Sequence, residues 1–188
     1  MCPRRPEASS SDTELYYCLS GRQLACPMKD TTFDLKPALI SAFATNNRID
    51  CYLIENIPAE AWSLRPPEGK GRSIAAIAAH MHNVRLMWLK AVGVTKLPAK
   101  LEESASAKET LKALGESHQA LAAVLSDALE RGTVKSFKPD AASFYAYLIA
   151  HDAHHRGQIA SLARRLGHPI PQSAGFGMWE WGSRAKEV

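Results

Sequence analysis

The stretch His151-Asp152-Ala153-His154-His155-Arg156-Gly157-Gln158 puts imidazoles where a helix should carry its apolar seam. Around it, Phe144, Leu148, His151, His155, Leu162 and Leu166 recur at intervals of three, four and seven, with Ile159 alongside. That spacing is the inward stripe of an amphipathic helix. Residues four apart lie one above the other, so His151 and His155 point together into the seam. A buried polar group without a partner costs a few kcal/mol, and a divalent metal is the partner that suits two neutral imidazoles at this spacing.

Working outward, the same periodicity fills the rest of the chain. Asp34 precedes Leu35, Leu39, Ala42, Phe43, Asn46, Ile49, Leu53 and Ile54, which predicts a first helix from about 35 to 56. Pro58 and Pro66-Pro67 break the chain, leaving room for one short turn around Ala59 to Trp62. Ser73 caps a second helix through Ile74, Ile77, Met81, Val84 and Trp88, ending at Gly93. A loop from Val94 to Ala105 leads to Ser106-Ala-Lys-Glu109, a capping box that opens a third helix running to Gly132. Asp140 caps the fourth, which stops at Gly167. No segment alternates as a strand does. The expected fold is all-α, a bundle of four up-down helices.

The ends differ from the body. Residues 1–27 mix Pro, Arg, Ser and Cys without period and lack a signal peptide's apolar core and cleavage site. Met28 reads as a natural start, and 1–27 as a dispensable extension, either disordered or wrongly joined to the chain; a genuine flexible tail reads equally well. Residues 28–188 form the bundle domain. Its last part, Gly175-Phe-Gly-Met-Trp-Glu-Trp-Gly182, suggests a loop folded back on apolar surface, as packing, pocket wall or dimer contact.

Composition excludes several classes. The 188 residues are 46% hydrophobic and 22% charged, with 23 basic against 19 acidic residues spread along the chain for a net charge of +4. No basic run with interleaved aromatics points to nucleic acid, and no apolar stretch approaches the ~20 residues that span a membrane. Cysteines at 2, 18, 26 and 51 match neither a disulfide framework nor paired CxxC spacing, so a reducing cytoplasm is the simplest setting.

Two histidines hold a metal poorly, and the second helix offers His80 and His82. His80 lies roughly 60–80° from the centre of its apolar stripe and His82 roughly 120–140° on the other side, which makes His80 the inward one. His82 then falls at an interface or the bundle edge. His118 reads as solvated or hydrogen-bonded, His154 as a support for the site or a surface residue, and His168 as structural.

These residues resemble the DinB family of damage-inducible, YfiT-like four-helix bundles. The likeness rests on Ser73-Ile-Ala-Ala-Ile-Ala-Ala-His80 and on His151-Asp-Ala-His-His155-Arg-Gly-Gln158, and it covers Met28 to about Gly182. It implies a divalent metal on His80, His151 and His155, zinc or nickel first, with iron or manganese as alternatives. It also implies thiol chemistry, since the best-understood relatives are S-transferases using bacillithiol or mycothiol and a mycothiol-dependent maleylpyruvate isomerase.

Three imidazoles leave a coordination position open, where a low-molecular-weight thiol would be held as its thiolate for attack on a small electrophile. With water there instead, the site would be hydrolytic. A third reading is a non-catalytic, stress-associated bundle with a structural metal. Cys51 reads as core. Asp152 reads as a surface residue, or else as an acceptor that orients a ligand histidine, and Arg156 as a surface residue or an anion attractor. Gly157, costly in mid-helix, suggests a close helix approach. Tyr52, Leu86 and Leu89 lie beyond their helices' stripes, which suggests a homodimer or cover by the segment Gly175 to Trp181 within one chain.

Overall fold

Each long helix begins at a residue that can cap it. A computed structural model describes residues 33–188, and the calls made on 1–27 lie outside those residues. Helix α1 (Leu35–Glu55) is capped by Asp34, whose carboxylate accepts from the Lys36 N–H at 3.0 Å. Helix α2 (Ile74–Val92) is capped by Ser73. Helix α3 (Ala107–Arg131) opens on the reciprocal Ser106–Glu109 capping box, and α4 (Ala141–Arg165) on Asp140. Gly93 ends α2 at φ 101°, where a side chain would be strained. Among the described residues there are no strands.

Helix α1 packs against α3 and α4, and α2 packs against the same two, which puts α1 and α2 at opposite corners of the bundle. Two apolar clusters fill the interior. One joins Leu53, Ile54, Trp62, Ile74, Met81, Leu114, Ile159 and Leu162. The other joins Phe43, Leu86, Leu89, Leu121, Leu125, Phe144 and Leu148. Along every long helix, a polar stretch separates the two.

That polar layer centres on Arg85, 1% exposed. Its Nη2 donates to Asp50 on α1 and to Asp152 on α4, both at 2.9 Å. Its Nη1 donates to the Asn47 side chain at 2.7 Å and to the Leu114 carbonyl of α3 at 3.2 Å. Asn46 donates to Asp152 at 2.9 Å, and Arg156 donates to Asn46 at 2.9 Å and to the other oxygen of Asp50. The two carboxylates diverge. Burial and the charge of Asp152 push Asp50 up to about 7 against the pull of Arg156 and Arg85. Burial also raises Asp152, but Arg85 and the groups beside it outweigh that and hold it at about 2.

Five expectations change here. Asp152 is 2% exposed and Arg156 is bound to the layer, so neither is a surface residue, because each finds its partner on another helix. His82 is fully buried, and its Nε2–H donates to the Ala99 carbonyl at 2.9 Å, pinning the connection that leads to α3. His118 stays partly exposed, while its ring packs on Phe43 with centroids 4.9 Å apart and its Nδ1 is buried without a partner. A Cβ at Gly157 would meet nothing within 4 Å, so no helix approaches it. The C-terminal segment is no loop but two short helices, α5 (Gln172–Gly177) and α6 (Trp181–Arg184).

These short helices cover Tyr52. A Cβ on Gly177 would lie 2.5 Å from the Tyr52 hydroxyl, and the Arg184 guanidinium stacks 4.0 Å from the Tyr52 ring centroid. Leu86 and Leu89 are buried in the second apolar cluster. Tyr52 is thus packed under the C-terminal helices, and Leu86 and Leu89 are core residues.

Two outcomes follow for stability. Arg85→Met takes the shared guanidinium from two buried carboxylates, leaving Asp50 only Arg156 and Asp152 only Asn46, and should cost about 3–5 kcal/mol, read by urea unfolding at pH 7. The second concerns acid. Burial and the charge of Arg85 push His118 from 6.5 down to about 4. Its unfolded form binds the proton more tightly, so its contribution is complete above about 6.5 and is lost as pH falls towards 4. His118→Leu should shrink the loss of stability across that window by roughly 2 kcal/mol, allowing for the ring's residual exposure.

Candidate metal centre

At the level of the polar layer, α4 presents His151 and His155 one turn apart, and α2 presents His80 towards them. One nitrogen from each of the three lies within 4.8 Å of the other two. The Nε2 atoms of His151 and His155 are 3.2 Å apart. Two ligands at ~2.0–2.1 Å from a tetrahedral ion would sit about 3.3–3.4 Å from each other, so this pair needs almost no adjustment. The His80 ring centroid lies 4.8 Å from that of His155 and 5.6 Å from that of His151. The three residues expected from the sequence are the three the fold brings together.

Neighbouring groups set the tautomers. The Gln158 carbonyl oxygen accepts from the Nδ1–H of His155 at 2.8 Å, which leaves the Nε2 lone pair of His155 facing the triad. The Gln158 amide in turn donates to the Nε2 of His154 at 2.8 Å. His154 therefore points away from the triad yet steadies it through Gln158. Asp152 stands with Oδ1 3.6 Å from the Nδ1 of His151, too long for a hydrogen bond but within ion-pair range. It is fixed from behind by Arg85 and Asn46, so His151 is backed by a held carboxylate.

Electrostatics keep the cluster ready for a cation. Burial pushes His155 down to about 4, outweighing the Gln158 hydrogen bond, with His151, His80 and His154 adding to the effect. Burial lowers His80 as well, helped by the charge of Arg72 and by His151. Both rings are neutral at pH 7, the form that ligates. No other His, Cys, Asp or Glu among the described residues joins the group. An all-imidazole set of this kind suits zinc, nickel or iron.

Beside the triad opens a cavity of about 670 Å³, whose lining includes Arg72, Ile77, His154, Gly157, Gln158 and Arg165. Of the remaining histidines, His82 and His118 are committed elsewhere, and His168 lies in the turn after α4, where its backbone N–H reaches the Ala163 carbonyl at 3.0 Å. Sequence reading gave no role to Gln158, although it stands three residues after His155 on the same helix face. It also passed over Arg85, Asn47 and Asp50. Asn46, lodged in an otherwise apolar stripe, was the available sign of a buried polar layer.

No helix among the described residues is long and apolar enough to cross a membrane. No curated protein matches the chain significantly. The family model described as DinB family matches residues 28–183, a span that contains all four long helices and the three converging histidines, and the chain belongs to that family.

Proposed function

We propose that this protein is a cytoplasmic, metal-dependent enzyme that transfers a low-molecular-weight thiol onto a small electrophile. The observation that carries the reading is a group of three histidines, their imidazoles converging, with no fourth His, Cys, Asp or Glu beside it among the described residues. The cavity starts at His154 and Gln158, the pair that supports His155. A closed set of four ligands would suit a structural ion instead.

The thiol half of the reading draws on the DinB resemblance and on the state of the chain's own cysteine. Cys51 is the only free cysteine among the described residues. Burial, reinforced by the charge of Asp50, pushes its thiol up to about 11, and it packs against the apolar core. In this reading Cys51 is not the nucleophile, and the sulfur is that of a thiol from solution.

A divalent cation bound at the triad supplies the positive charge that keeps an incoming thiol ionised at neutral pH. The chain aims His80, His151 and His155 at one point and holds His80 and His155 neutral, with Gln158 retaining the Nδ1 proton of His155. The cavity positions the electrophile against the sulfur. The thiol's proton passes to water, a sulfur–carbon bond forms, and the leaving group departs with the electrons of the bond that breaks.

The metal assignment has a direct check by elemental analysis of purified protein. His80→Ala, His151→Ala and His155→Ala should each remove most bound metal, while His118→Ala retains it. Gln158→Leu, which frees the tautomer of His155, should weaken metal affinity roughly tenfold. Stoichiometric metal in the His151→Ala protein would overturn the site. For the reaction, metal-loaded protein should conjugate N-acetylcysteine to 1-chloro-2,4-dinitrobenzene, and His151→Ala should not. Metal-dependent hydrolysis of p-nitrophenyl acetate without any conjugation would replace the transferase reading with a hydrolase.

A further inference from the structure

The cavity beside the triad has a chemical bias of its own. Its only formally charged lining residues are Arg72 and Arg165, and no carboxylate lines it. Arg72 has no ion-pair partner among the described residues, and its charge already reaches His80. Arg165 uses one amino group on Glu68, which leaves other guanidinium N–H groups to donate. Pro66, Ile77 and Leu162 supply an apolar wall. At about 670 Å³ the space falls within the ~300–1,000 Å³ range of small-molecule sites.

Gly157 gives an independent sign that this space is kept clear. A glycine in mid-helix costs ~1 kcal/mol relative to alanine. No neighbour within 4 Å requires its lack of a side chain. The residue instead lines this cavity and also a second one of about 280 Å³ that contains Trp179 and Trp181. Any side chain there would project into one of the two.

Charge completes the argument. A divalent ion on three neutral imidazoles keeps its full charge, and the nearby carboxylates Asp50 and Asp152 are already engaged by Arg85 and Arg156. The mouth of the site is therefore electropositive. We propose that the cavity binds a small organic anion, a carboxylate-bearing molecule with an apolar body, its carboxylate held by Arg72 and Arg165 and its body against Ile77 and Leu162. This rests on the reading of the triad as a working metal site, and it names the class of ligand that site selects.

The test uses the full chain, with metal content measured in every sample, and follows binding of 4-fluorobenzoate and uncharged 4-fluorobenzamide by fluorine NMR. The carboxylate should bind at least tenfold more tightly than the amide. Arg72→Gln and Arg165→Gln should each weaken it at least fivefold while metal content stays at the wild-type level. Gly157→Leu, which has room to fold, should weaken both probes. Equal binding of the two probes, or carboxylate binding untouched by the arginine and glycine changes, overturns the proposal even where metal is stoichiometric. A charge preference that survives in metal-free His151→Ala protein and still needs both arginines supports the anion pocket while separating it from the metal reading. N-acetylcysteine and its amide, compared in the same way, assign the carboxylate to the thiol if they show the arginine-dependent preference and to the electrophile if they do not.

Discussion

Arg85 touches all four long helices at once, and the arrangement of the site depends on that reach. One guanidinium meets Asp50 and Asn47 on α1, the Leu114 carbonyl on α3 and Asp152 on α4, from its own position on α2. Apolar packing alone tolerates sliding and rotation, because one methyl group substitutes for another at small cost. A buried guanidinium does not. If α4 slipped by one residue, Asp152 would lose Arg85 and Asn46, and a carboxylate would remain in the interior without a partner. The net stability such a layer adds is small, since desolvation offsets much of the Coulomb attraction. Its effect here is register: one relative placement of α1, α2 and α4 lets both Nη groups of Arg85 and both carboxylates find partners, and the apolar clusters on either side accept that placement.

The triad inherits this register. His151 is the residue next to Asp152, and His155 lies one turn further along, so fixing Asp152 fixes both imidazoles in height and direction. His80 stands on α2 little more than one turn before Arg85, so the same guanidinium fixes the third imidazole. A ligand set drawn from two separate helices would otherwise be only as well placed as the packing between them. The near-ideal 3.2 Å separation of the two Nε2 atoms is local to α4. The approach of His80 is not local, and it is where the Arg85 clasp matters most.

The legible and illegible parts of the chain divide along the same line. Helix starts at Asp34, Ser73, Ser106 and Asp140 were readable because a cap is a contact between neighbours in sequence. The pairing of His151 with His155 was readable for the same reason, and the apolar stripe of α2 was enough to prefer His80 over His82. What failed were readings of single polar residues whose partners come from another helix or loop. Asp152 and Arg156 look like surface residues when α4 is viewed alone, because their partners Arg85, Asp50 and Asn46 are contributed by α1 and α2. His82 looked peripheral because the Ala99 carbonyl that accepts from it belongs to a loop of no regular pattern. Leu86 and Leu89 looked surplus because the width of the buried face of α2 is set by its two neighbours, α3 and α4, rather than by one. The C-terminal aromatics carried no period at all, since helices of six and four residues are too short to show one.

Gly157 joins these two levels. Seen in α4 alone it is a weakness, and the expectation of a close helix contact was the reasonable way to explain it. With open space on its outer side and a cavity to either flank, the same residue has the opposite meaning. Helix α4 has to be rigid where it faces inward, since it carries two imidazoles of the triad and the carboxylate behind one of them. It has to be bare two residues after His155, where the cavity begins. The caps, the Arg85 clasp and the apolar contacts of Phe144, Leu148, Ile159 and Leu162 secure the inward face at points well spread along its length. A single helix-weakening residue on the outer face is then affordable, and the accessible space beside the triad is what the chain gains from it.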